Sequence, residues 1–253
     1  MYCTKAPAPV IHWHRLDESS RARAVWRDTS EFAGVRVPLI ETPAGAHAPQ
    51  AKIIEQRPSS TVGAHFHQVH QFQVFSAGNG LLGRTQVGPL TVHYTSPETG
   101  YGPIQAGPDG LSYYVLRPQM DAGAMFLPQS RDRMLGLPKH HAVSQTITPR
   151  TDAVLRGLRA QVVDDCIATT PQGMAVWRVG LPPAAALPVS DLPGAGPRFY
   201  LVAAGELAVE GAVLGAGSVC FAESRDDLRL QSTAAGADVL VMQYPPDAVG
   251  ADW

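Results

Sequence analysis

The chain has 253 residues, a mass of 27.0 kDa and a formal net charge of −2, room for one large domain or two of ordinary size at roughly 100–200 residues each. Charged residues are 17% against a typical ~25%, and Gly 24 with Pro 22 exceed average usage, so a turn-rich, strand-rich globular protein is expected rather than a disordered chain. With 20 basic against 22 acidic residues and no run near ~18 apolar residues, neither nucleic-acid binding nor a membrane span is expected. The first residues lack a signal-peptide layout, and Cys3, Cys166 and Cys220 form no spaced motif, which together suit a reducing cytoplasm.

Residues 1–45 mix short apolar and polar pieces and read as an N-terminal arm, with room for a short helix within Asp17–Phe32. From residue 46 the texture changes. Lys52–Gln56, Phe72–Ser76, Thr91–Thr95 and Ser112–Leu116 are short β-branched or aromatic runs separated by Gly/Pro/Asn punctuation, the pattern of successive antiparallel strands. Residues 121–170 break that rhythm and read as a partly helical linker. Ser130 followed by Arg131–Leu135 and Gly136 reads as a capped helical turn. Thr151–Asp165 aligns Val154, Leu155, Leu158, Val162 and Val163 on one helical face, with Pro149 near its start. Strands resume at Met174–Val179 and run to Gln243, giving a second β unit over 171–248.

The two β units look like duplicates. A gapless shift of 127 lays Gln71–Pro118 on Arg198–Pro245, matching Phe72 to Phe199, Gly78 to Gly205, Gly88 to Gly215, Val92 to Val219 and Pro118 to Pro245. The matches fall on turn glycines and strand centres, where duplication would preserve them.

Chemistry concentrates in the first unit. In an extended chain His65 and His67 share one face about 7 Å apart, close enough to converge on a metal ion. The same parity carries Gln71 and Gln73 inward and turns His70 and Phe72 away. Imidazole suits iron, nickel, manganese or zinc, and three protein ligands with open positions is the layout of a catalytic metal. The bland alternative is a pair of polar residues on a half-buried strand. Tyr101, after a glycine-rich turn, is placed to donate to a substrate or act as a general acid, unless it only packs the barrel rim. His93 has ambiguous parity: if Val92 and Tyr94 fill the barrel, it faces out. Arg84 and Arg117 are candidates for a substrate carboxylate, though surface arginines are commoner. Cys166 and Cys220 have no spaced acid–base partner and are poor nucleophile candidates.

The stretch Gly63-Ala-His65-Phe-His67-Gln-Val-His-Gln71, then six residues and Gly78, resembles the first motif of the cupin superfamily, His-x-His, three or four residues, Glu, six residues, Gly. Gln71 stands where cupins usually have Glu, and the region Pro97-Glu-Thr-Gly100-Tyr-Gly102-Pro103 keeps the proline and glycine of the second motif but not its histidine. Through the repeat the chain is similar to a bicupin. The resemblance implies an all-β fold of two tandem jelly-roll barrels, the first at 46–120 holding a divalent transition metal (iron, nickel, manganese or zinc) on His65, His67 and a weakened Gln71. It leaves the fourth ligand unassigned, and His93, in the next long strand, is the obvious substitute, the alternative being an outward strand histidine. It also implies a homodimer and a small-molecule substrate. The leading expectation is a metal-dependent enzyme, with oxygen-dependent cleavage as first choice. The alternative is a non-enzymatic ligand-binding or regulatory bicupin with a vestigial metal site. The shift places Leu192, Gly194 and Arg198 at the ligand positions of the second barrel, which is therefore expected to be metal-free scaffold.

Overall fold

A computed structural model describes residues 11–41, 48–223 and 228–249. In chain order its elements are β1 (Ile11–His14), α1 (Glu18–Ala22), β2 (Val25–Asp28), β3 (Ala33–Ile40), β4 (Gln50–Gln56), β5 (Thr61–Val62), β6 (His65–Phe66), β7 (Gln71–Leu82), β8 (Thr85–Val87), β9 (Val92–Thr95) and β10 (Ile104–Arg117). There follow β11 (Met125–Phe126), β12 (His141–Val143), α2 (Asp152–Gly157), β13 (Val162–Ile167), β14 (Ala175–Leu181), β15 (Arg198–Val209), β16 (Ala212–Gly215), β17 (Val219–Ala222) and β18 (Leu230–Gln243). Two antiparallel sheets result. One runs β12-β9-β7-β10-β4-β3-β2, with β5 on β10 and β8 on β7; the other runs β1-β17-β15-β18-β14-β13, with β16 on β15. The all-β, two-unit architecture expected from the sequence is present.

Several local expectations are corrected. The residues read as an arm supply strands: β2 and β3 extend the first sheet, while β1 pairs with β17 of the second. The helix within Asp17–Phe32 lasts five residues, because β2 then pairs with β3 from Val25 onward. Arg131–Arg133 forms only a 3-10 turn without a side-chain cap. The helix expected over Thr151–Asp165 stops at Gly157. Its N-cap is the Thr151 hydroxyl, accepting from the Val154 N–H, but Leu155 alone is buried. Residues 162–167 pair with β14 instead, so ladder hydrogen bonds override the helical periodicity.

The repeat is real in register but not gapless. β7, β8 and β9 map onto β15, β16 and β17 at the 127 shift. On the last strand, however, Gln71 stands beside Arg117 while Arg198 pairs with Gln243, a shift of 126, so Val115 corresponds to Val241 and not to Met242. The turn preceding β18 is one residue shorter. Gly78 and Gly205 match for a steric reason: both have positive φ (72° and 69°), and a Cβ on either would strike the carbonyl of Gly110 or Gly236 on the paired strand.

Alternation decides what each strand faces. Phe72, Val74, Tyr94 and Leu116 point out of the first barrel, Phe199, Leu201, Phe221 and Met242 out of the second, and together with Tyr244 they make one shared core. The Phe72 and Tyr244 rings lie 4.7 Å apart, and the Tyr244 hydroxyl donates to the Leu116 carbonyl at 2.8 Å. The opposite strand faces fill each barrel separately. Because the outer faces share a core, the barrels should unfold together. Phe199→Ala is expected to lower stability by about 3–5 kcal/mol while leaving a single unfolding transition. Two resolved transitions in calorimetry would contradict this.

Candidate ligand site in the N-terminal barrel

The inward faces of four strands meet at one end of the first barrel. β4 brings Gln50 and Lys52, β7 brings Gln71 and Gln73, β9 brings His93 opposite Gln73, and β10 brings Arg117. His65 and Tyr101 exchange both backbone hydrogen bonds at 3.0 Å, which fixes Tyr101 over the His-x-His segment. These groups surround a cavity of about 160 Å³ lined by His65, His67, Gln71, Tyr101, Lys52 and Arg117, among others. Phe75, Tyr113 and Val115 pack its closed end.

The ring tautomers follow from the partners. His65 Nδ1 lies 2.7 Å from the Gly63 carbonyl, so it carries the proton and Nε2 keeps its lone pair. His67 Nδ1 lies 2.9 Å from the Asp121 carboxylate and 3.1 Å from the Gly123 carbonyl, so it too is a donor. Its Nε2 therefore accepts from Arg117 Nη2 at 3.1 Å. The same guanidinium donates twice to Gln71 Oε1, at 2.9 and 2.7 Å, and pairs with Asp121 at 2.8 Å. Gln71 Nε2 in turn donates to the Tyr101 hydroxyl at 2.8 Å, leaving the phenol proton free for another acceptor.

Burial sets the charges. Desolvation lowers His65 to about 4 and His67 to about 3, so both are neutral at pH 7. Burial alone would raise the Asp121 carboxyl, but the Arg117 charge and the His67 hydrogen bond override it and bring it to about 2. Tyr101 is pushed above the usual phenol range by burial and stays protonated. Lys52 is held well below the usual lysine range, first by desolvation and then by the like charges of Arg117 and Arg36.

His93, fully buried, faces inward because Val92 and Tyr94 belong to the shared core and do not fill the barrel. Its Nδ1 bonds Gln73 at 2.7 Å, and its Nε2 has no partner. His70 points to the other side, 2.7 Å from the Tyr94 hydroxyl, in a separate cavity of about 470 Å³ at the barrel seam. His140 lines that second cavity, the His141 ring meets His93 edge-on with centroids 4.8 Å apart, and Arg84 is exposed. Burial raises Cys166 to about 11 and Cys220 to about 12, which agrees with neither being a nucleophile. Three residues that sequence reasoning passed over prove central. Asp121 and Lys52 belong to the site. Glu98, in the degenerate second motif, accepts from the backbone N–H groups of Leu135, Gly136 and Leu137 and pins the connector. Only the Arg117–Asp121 spacing offered a sequence signal.

The expected metal can be tested against this donor set. Gln71's oxygen accepts two N–H groups, the His67 lone pair accepts a third, and the group making these bonds is itself a cation. Among the described residues no three His, Cys, Asp or Glu side chains are grouped to hold a metal ion. As folded, the donors do not fit one. The second barrel repeats the arrangement with the partners exchanged. Arg198 stands at the Gln71 position and donates twice to Gln243, at 2.9 and 2.7 Å. It also donates to the carbonyls of Val189, Leu192 and Pro193, in the segment equivalent to His65–His67. Its interior is otherwise packed with apolar side chains.

No family profile and no curated protein sequence matches the chain. Solved structures do, among them several at 10–14% identity. The bacterial pirin YhhW from Escherichia coli, also solved with nickel(II), is similar at TM-score 0.57 and 11% identity, with 94% of this chain and 98% of that one covered. Salicylate 1,2-dioxygenase from Pseudoaminobacter salicylatoxidans, solved with gentisate, gives TM-score 0.54 and 11% identity over 93% of this chain and 81% of that one. Oxalate decarboxylase from Lactobacillus farciminis, as a formate complex, gives 0.53 and 14% over 89% and 85%. The chain therefore has the bicupin fold, in agreement with the motif resemblance. No helix among the described residues is long and apolar enough to cross a membrane.

The buried histidines give a pH dependence. Their folded-state values lie below 6.5, so the unfolded chain binds more protons between pH 6.5 and about 4, and stability falls as pH drops through that window. Thermal unfolding is expected to lose several degrees from pH 7 to 4.5. His65→Gln should flatten that slope, and an unchanged slope would show that His65 is not buried neutral.

Proposed function

We propose that the N-terminal barrel binds a small organic acid in a pocket that works without a metal. The observation that carries this reading is the placement of Arg117, whose guanidinium takes up both the Gln71 oxygen and the His67 lone pair. The rest of the lining then supplies the chemistry. Lys52 has no hydrogen-bond or ion-pair partner among the described residues and lies in a field made positive by Arg36 and Arg117. It is the anchor for a carboxylate. Tyr101 offers its unused phenol proton to a ligand oxygen, and neutral His65 offers the Nε2 lone pair, so a donor and a proton acceptor flank the cavity. About 160 Å³ admits a molecule of only a few carbons.

A metal-dependent cupin enzyme, with oxygen-dependent cleavage as the first choice, is the second reading. Its support is the pair of neutral imidazoles on one face, ring centroids 5.3 Å apart. It requires the Arg117 guanidinium to leave His67 and Gln71.

Calorimetric titration separates the two. Acetate, oxalate and malonate are expected to bind wild type and to weaken at least tenfold in Lys52→Met, whereas nickel, manganese, zinc and iron(II) show no stoichiometric binding. Gln71→Glu should strengthen the contact with Arg117 and leave metal affinity unchanged. Stoichiometric metal binding lost in both His65→Ala and His67→Ala would replace the first reading by the second.

A further inference from the structure

Only three of the 20 basic residues are lysines, Lys5, Lys52 and Lys139. Lys139 is exposed and Lys5 lies outside the described residues. Fully buried positive charge is carried by arginine: Arg117 and Arg198 sit inside the barrels, each with a full set of acceptors, while Lys52 is half-buried at the cavity. Lys52 is different in kind. It is on β4, two residues along the inward face from Gln50, and it has no acceptor among the described residues although Asp121 and Gln50 are both in the neighbourhood. Arg117 absorbs those two groups, with Asp121 at 2.8 Å and Gln50 at 3.5 Å. Recognition of a carboxylate alone would be served better by arginine, whose planar fork matches it. What lysine can do and arginine cannot is lose its proton and act as a nucleophile.

We propose that Lys52 captures a small 2-oxo acid or its aldehyde counterpart as an imine within the N-terminal barrel. This rests on the organic-acid reading above and goes further by naming the carbonyl next to the carboxylate as the group recognised. The amine lone pair forms a C–N bond to the carbonyl carbon. The carbonyl oxygen leaves as water carrying the two amine protons, and neither oxidant nor reductant is consumed. Tyr101, whose hydroxyl accepts from Gln71 and keeps its own proton for donation, polarises the carbonyl oxygen, and the His65 lone pair relays a proton to the departing water. Once Lys52 is bonded to the carbonyl carbon, the carboxylate that it anchors in a non-covalent complex is left to the positive field of Arg36 and Arg117. Their like charges, with burial, also favour the unprotonated amine, so the same surroundings serve both steps.

Borohydride trapping tests this on the full chain. Wild type incubated with glyoxylate or pyruvate and then reduced should gain one ligand mass less the carbonyl oxygen, because the two hydrogens lost with water are returned by the reduction. Peptide mapping should place it on Lys52 and not on Lys5 or Lys139. Acetaldehyde and acetone, which lack the carboxylate, should label at least tenfold more slowly. Lys52→Met should give no adduct. Lys52→Arg should bind oxalate within a few-fold of wild type and give no adduct, and Tyr101→Phe should slow labelling at least tenfold. An adduct spread evenly over the three lysines, or surviving in Lys52→Met, overturns the proposal. Oxalate binding that depends on Lys52 without any trapped adduct overturns the imine and leaves the organic-acid site standing. Absence of both binding and adduct overturns the two together.

Discussion

A positive charge sealed inside a small β-barrel has to be answered by acceptors on every side, because an unmet N–H in that environment costs about 1–3 kcal/mol and an unmet charge far more. Both barrels carry such a charge at the same place, on opposite strands of one equivalent pair. In the first barrel Arg117 on β10 faces Gln71 on β7; in the second Arg198 on β15 faces Gln243 on β18. The surrounding loops are arranged around this demand. The chain after β10 turns back so that Asp121 reaches Arg117 and His67, and the chain before β15 wraps its carbonyls round Arg198. Trp177 adds its ring face at 5.5 Å from the Arg198 guanidinium. The first solution leaves a cavity and an idle lysine, whereas the described residues inside the second barrel form an apolar cluster around Arg198 and Gln243. Function is accordingly expected in one barrel only.

The shared core between the barrels is the second constraint, and it reaches into the site. Strands in a lone barrel keep their apolar residues inside; here the outer faces of β7, β9 and β10 are also covered. With Phe72, Val74 and Tyr94 turned to the neighbouring barrel, the alternate residues Gln71, Gln73 and His93 face in, and a polar interior becomes tolerable only because they bond to one another, to Arg117 and to Tyr101. The aromatic contacts Tyr94–Phe72–Tyr244–Phe199–Phe221 run continuously across the seam, so the wall behind the site is part of the shared core.

Distant likeness to dioxygenases, a decarboxylase and a pirin shows that this architecture hosts several chemistries, and fold alone does not choose among them. The choice here falls to individual side chains. A guanidinium in contact with two of the expected ligands gives the pocket, as folded, a hydrogen-bonding character, and under the reading proposed above the reactivity falls to Lys52, Tyr101 and His65.

By itself the sequence determined the all-β class, the duplication and the set of polar side chains that the fold gathers at one end of the first barrel. Strand periodicity, turn glycines such as Gly78 and Gly205, and the spacing of His65, His67, Gln71 and Gly78 are local facts, legible because they depend on backbone geometry over a few residues. Tertiary structure decided the rest. The apolar run after Gly157 was strand because β14 offered a ladder, which periodicity cannot see. His93 turned inward because its apolar neighbours found a second barrel to pack against. Asp121 and Lys52 entered the site from separate strands and loops, brought together only when β4, β7 and β10 closed side by side. Whether Gln71 meets a metal or a guanidinium is settled by what stands across the ladder from it, and no residue near Gln71 in the sequence carries that information.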